Sequence, residues 1–143
     1  MASAQPKSAT ILAWFAIVNG VLTLATPLFA TLFGQHVPLQ VIVIILVLGF
    51  LSGLCGFYGR RANTWAFWLL FVLFLLQSAE YFSQTFSFSF VGPLNFKFGW
   101  GWYNPPSRFN INLLAIVVCI WAAYAARCVG ALRAKLSGSA AEA

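Results

Sequence analysis

The chain has 143 residues, 62% of them hydrophobic and only 7% charged, where an ordinary soluble domain is about a quarter charged. That composition excludes a water-soluble globular domain and points to a bilayer. The net charge of +6 invites a nucleic-acid reading, but its distribution along the chain reads as membrane topology instead.

Residues 1–7 form a short, small-residue tail with the composition of a disordered end. The first apolar segment, 10–32, is long enough to cross a hydrocarbon core, since about 20 residues at 1.5 Å rise cover roughly 30 Å. It lacks a clear small-residue cleavage site, so it reads as a retained signal anchor and not as a cleaved signal peptide. Asn19, Thr23 and Thr26 recur on one side of it and are expected to face protein, as interhelical hydrogen-bonding groups or, alternatively, as part of a substrate path. Pro27 is expected to bend the helix. The turn that follows, 33–38, holds the only histidine, His36, with Gln35 and Gln40 nearby. A lone histidine is a poor metal ligand, because a stable site needs three or four donors, and no metal is expected.

The second segment, 39–58, opens beside Pro38 and carries Gly49, Gly53 and Gly56 with Ser52 interleaved. These small residues, with one G-x-x-x-G, predict close helix packing but do not distinguish an internal contact from a contact between copies. Arg60 and Arg61 close the segment and are suited to lipid phosphates. Asn63 or Thr64 is the candidate N-cap of the third segment, 64–82, whose Trp65 and Trp68 match an aromatic belt. It ends in Gln77, Ser78, Glu80 and Tyr81. A carboxylate in a membrane helix has a partner or a task. The expected partner of Glu80 is Arg108, with Asn110 and Asn112 just beyond it.

Residues 85–103 differ from everything around them, because apolar side chains recur there at every second position. Period two predicts strands, and the Gly92-Pro93 break between the two runs predicts a β-hairpin. Putting aromatic side chains on one face requires Phe90 opposite Leu94, Phe88 opposite Phe96 and Phe86 opposite Phe98, around a loop of odd length centred on Gly92. An irregular aromatic loop at the headgroup level is the alternative. The aromatic face, Phe86, Phe88, Phe90, Phe96, Phe98, Trp100 and Trp102, is a candidate lid or docking surface, and its direction is open at this stage. Ser87, Ser89, Asn95, Lys97, Gly99 and Gly101 make the opposite face.

Asn104, Pro105, Pro106 and Ser107 return the chain to a fourth segment, 110–128, with packing candidates Ala115, Cys119 and Ala123. Cys55, Cys119 and Cys128 all fall within apolar segments or close to their ends, so a disulfide framework is not expected, and no C-x-x-C marks thiol-oxidising chemistry. Residues 136–143 read as a disordered tail.

Placing both ends in the cytoplasm puts Lys7, Arg60, Arg61, Arg127, Arg133 and Lys135 inside and leaves only Lys97 and Arg108 outside, a positive-inside bias. The expected fold is an all-α membrane protein, a four-helix transmembrane bundle with an extracytoplasmic β-hairpin between helices 3 and 4. The expected location is the cell (inner) membrane. A polar cluster of Gln77, Glu80, Tyr81, Arg108, Asn110, Asn112 and His36 is expected near the outer face. No nucleophile with a base, carboxylate pair, phosphate loop or cofactor motif stands out, so neither a catalytic residue nor a cofactor is expected. The function expected first is protein contact, as an accessory or assembly subunit of a membrane complex or as a homo-oligomer. The partners would be membrane lipids and other membrane subunits or further copies, not nucleic acid. An oligomeric transporter or channel using Glu80, and a lipid- or quinone-binding protein or enzyme at the outer leaflet, are the alternatives.

Overall fold

The computed structural model describes residues 5–89 and 94–141. Helices α1 (Lys7–Leu32), α2 (Leu39–Arg60) and α3 (Thr64–Gln77) are followed by strands β1 (Ala79–Ser83), β2 (Ser87–Phe88), β3 (Lys97–Tyr103) and β4 (Pro106–Asn112), then by helix α4 (Leu113–Ala141). Three helices, α1, α2 and residues 113–138 of α4, are long and apolar enough to cross a membrane. The 14 residues of α3 rise only about 21 Å, short of a hydrocarbon core of roughly 30 Å.

The third helix therefore ends five residues earlier than the 64–82 that apolar run length suggests. The chain turns extended after Ser78 because 79–83 finds a ladder partner in 106–112. The same pairing removes Asn110 to Asn112 from the start of the fourth helix, which begins at Leu113. At its other end α4 does not stop near Cys128 but continues to Ala141, through residues expected to be disordered. Once nucleated, a helix propagates at little cost through an alanine-rich stretch.

Helices α1 and α2 pack at backbone distance. A Cβ added to Gly56 would lie 2.5 Å from the Ala13 carbonyl oxygen, and one on Gly20 would lie 2.7 Å from the Gly53 nitrogen. The small residues of α2 thus serve a contact inside the chain. Ser52 donates to the Ala16 carbonyl at 3.0 Å and accepts from the Asn19 amide at 3.4 Å, while Thr23 donates to the Asn19 carbonyl at 2.7 Å. Asn19 and Thr23 are buried with their polar groups engaged; Thr26 is turned to its own helix, donating to Leu22. The main core lies among α1, α3 and α4, where Leu12, Phe67, Leu70, Phe74, Val118 and Val129 are buried. Ala115 and Cys119 belong to it, the Cys119 thiol donating to the Phe71 carbonyl at 3.6 Å, and Ala123 is half-buried.

Both long helices before α3 end in the same hydrogen-bonded cap. Gly34 (φ 70°) and Gln35 donate back to Thr31 and Ala30, and Ala62 (φ 54°) and Asn63 donate back to Gly59 and Tyr58. These are Schellman caps, with alanine holding the left-handed position in the second. Gln5 and Arg133 bond to Gly59 and Asn63, so the chain's beginning and the far part of α4 meet the α2–α3 turn. The sheet lies at the opposite end of the helices.

All four strands form one antiparallel sheet in the order β2-β1-β4-β3. The hairpin expected between the two aromatic runs is not formed by the described residues. Phe88 pairs with Tyr81, not Phe96, and Phe98 pairs with Ile111, not Phe86. Each run instead pairs with a segment beside it that length had assigned to a helix or linker, which makes two short-range hairpins joined through β1 and β4. The proposed turn at Gly92 and the Phe90–Leu94 pair lie outside the described residues.

Candidate functional site

The register sorts side chains strictly by face. One row reads Phe88, Tyr81, Phe109, Trp100 across β2, β1, β4 and β3, flanked by Phe98 and Trp102. Side chains opposite one another across a ladder stand about 5 Å apart, so these rings form a continuous aromatic face. It is open: Phe98, Trp100 and Trp102 are 59%, 54% and 55% exposed. Phe86 packs near Tyr81 at 6.5 Å between ring centroids, and Phe96, just before β3, is exposed.

The other face carries the polar groups, and Glu80 is their centre. Its register partner is Asn110, and Asn110 in turn faces Gly99. Glu80 is 2% exposed and its carboxylate accepts from three side chains: Lys97 Nζ at 2.9 Å and Ser89 Oγ at 2.9 Å on Oε1, and Asn110 Nδ2 at 3.1 Å on Oε2. Arg108 Nε donates to Asn110 Oδ1 at 3.0 Å. The partner of Glu80 is therefore Lys97 and not Arg108. Arg108 sits opposite Phe82, one row away, and reaches Glu80 only through Asn110. Burial alone pushes the Glu80 carboxyl up, but the hydrogen bonds from Lys97, Asn110 and Ser89, with the Lys97 charge, outweigh it and hold the group below its ordinary range.

The remaining residues of the expected cluster divide. Asn112 is buried and caps α4: its Oδ1 accepts from the Ala115 nitrogen at 3.3 Å and also from the Phe96 nitrogen at 3.2 Å. Gln77 is buried at the end of α3, Tyr81 belongs to the aromatic face, and His36 is exposed in the turn between α1 and α2. Sequence reasoning missed Lys97 and Ser89 as partners of Glu80, although both had been placed on the hairpin's polar face. It also missed β4, whose signal is present: Phe109 and Ile111 alternate with Arg108, Asn110 and Asn112.

Gly99 is required by this network, because a Cβ there would collide with the Asn110 side-chain oxygen. Chemically, the site is a satisfied ion pair in a hydrogen-bonded chain, with its one carboxylate occupied by donors. No group of three or more His, Cys, Asp or Glu side chains suited to a metal ion occurs among the described residues. Compared with protein-family models, with curated proteins and with solved structures, the chain shows no match to any.

Proposed function

We propose that this is a multi-pass membrane protein with both ends cytoplasmic and its sheet on the outer side of the cell membrane. It works by contact, docking the aromatic face of the sheet on a neighbouring membrane-protein subunit. The observation that carries this reading is the row Phe88, Tyr81, Phe109 and Trp100 with exposed Phe98 and Trp102, on the side opposite the charged network. A contiguous, charge-free aromatic patch has the make-up of an interface core. The three long apolar helices support insertion. Lys7, Arg60, Arg61, Arg127, Arg133 and Lys135 along the chain's basic segments support the orientation. A protein partner is preferred to lipid because Trp100 and Trp102 stand three and five residues along β3 from Lys97, about 10 and 17 Å farther from the helices at strand rise. A transport role for Glu80 is the weaker reading, since its carboxylate is occupied by three donors and Asn19 and Thr23 bond within the α1–α2 contact.

The test is purification in mild detergent with determination of total mass and associated chains. The wild-type protein should run as a complex with a second chain or with itself. Phe98→Ser combined with Trp100→Ser should release a folded single chain. A stable wild-type monomer with no associated chain would sink the proposal, and wild-type tryptophan quenching by brominated acyl chains would then assign the aromatic face to lipid.

A further inference from the structure

One row beyond Glu80, toward the tip of the sheet, Phe82, Arg108 and Gly101 stand side by side on β1, β4 and β3. Two glycines of β3 face this side, and internal packing accounts for only one of them. Where a side chain on Gly99 would strike Asn110, a Cβ on Gly101 would meet nothing nearer than the Ser107 carbonyl at 3.7 Å. Gly101 thus leaves open the space beside Arg108 that a cross-strand neighbour would fill. Next to it, at the tip where the two faces meet, a pocket of about 430 Å³ opens, its lining including Phe82, Gln84, Tyr103 and Arg108 and, from the aromatic face, Trp102.

The electrostatics there favour one sign. Glu80, the sole acidic residue among those described, is paired with Lys97, so the Arg108 charge is uncompensated. Asn110, itself held by Glu80, accepts from Arg108 Nε and so orients the guanidinium. Among the described residues, the terminal nitrogens of Arg108 and the Gln84 amide have no hydrogen-bond partner. A fixed guanidinium with free terminal N–H groups suits bidentate binding of an oxyanion, and no carboxylate lines the pocket to repel one.

We propose that this pocket binds a phosphate-bearing amphiphile, either a lipid headgroup or a soluble aromatic phosphate ester. Arg108 takes the oxyanion, Phe82 and Tyr103 on its own face cover the apolar part with Trp102 bordering from the other face, and Asn110 is a positioning residue. The site does not depend on which side of the membrane the sheet lies, and of the residues named for it only Trp102 is shared with the aromatic face.

The experiment is calorimetric titration of the detergent-purified full chain with phenyl phosphate and, separately, with dihexanoyl phosphatidylglycerol. At least one probe should bind saturably, and the tighter one identifies the source. Arg108→Gln should weaken binding roughly tenfold to a hundredfold, the loss of a charge-assisted contact. Gly101→Val should weaken it by a similar factor by filling the space beside Arg108. Arg108 is exposed and valine suits a strand, so both variants should keep the wild-type circular dichroism. Should Gly101→Val misfold, Gly101→Ala takes its place in the comparison. Absence of binding by either probe, binding unchanged in Arg108→Gln, or binding unchanged in a folded Gly101 variant would each overturn the proposal.

Discussion

Replacing Lys97 by methionine tests whether the Glu80 network is a buried electrostatic unit or a solvated surface pair. The variant keeps most of the apolar stem of the side chain and removes the ammonium group, with its charge and its hydrogen bond at 2.9 Å to Glu80 Oε1. An exposed pair would lose at most about 1 kcal/mol, whereas stranding one partner of a fully buried pair costs about 3–5 kcal/mol. Here the carboxylate is 2% exposed but the lysine is 29% exposed, which discounts the buried figure to roughly 2–4 kcal/mol. Because Ser89 and Asn110 still donate to Glu80, the lower half of that range is expected. The sign of the pH dependence follows from the same contacts. The folded carboxyl lies below its ordinary value of 4.5, so its contribution is fully present above that value and is lost as pH falls through the folded pKa. Without Lys97 the depression shrinks, and so does the acid-induced loss. Reversible unfolding in mixed detergent micelles, from neutral pH to well below 4.5, reads both quantities. A cost below about 1 kcal/mol with an unchanged acid profile would refute the buried-pair argument.

Five substitutions probe the close approaches and the cap of α2. Gly56→Ala drives a methyl into the Ala13 carbonyl and should cost about 1–3 kcal/mol, whereas Gly53→Ala on the same helix meets nothing within 4 Å and should be neutral or gain up to about 1 kcal/mol from helix propensity; denaturation of both variants in detergent decides this. Ala62→Gly relieves the left-handed alanine that caps α2 and should stabilise by about 1 kcal/mol, seen as a higher unfolding midpoint. Gly99→Ala should displace Asn110 from Glu80 and cost about 1–3 kcal/mol in the same assay, while Gly101→Ala should leave stability unchanged.

Much of the helical architecture is legible in the chain because its signals are local. The apolar runs 10–32 and 39–58 mark α1 and α2 to within three residues at each end, Pro38 and the Arg60-Arg61 turn mark boundaries of α2, and Gly49 and Gly56 foretell close packing, though not that the partner is α1. Period two likewise marks β2 and β3 as strands before any pairing is known. Run length misleads at α3, where Ala79 to Phe82 are as apolar as a helix end but are extended. No local rule separates the two outcomes, since the choice depends on a ladder with residues almost thirty positions later.

The chain alone determines that there is a sheet-forming insert with one aromatic and one polar face, because alternation is a property of each strand by itself. Tertiary structure decides which strand meets which. A strand pairs through backbone groups that every residue carries, so Phe88 facing Tyr81 in place of Phe96 is set by the joint geometry of β1 and β4 as they leave α3 and enter α4. That one decision directs the aromatic face outward, moves the counter-charge of Glu80 from Arg108 to Lys97, and leaves Arg108 beside the gap at Gly101.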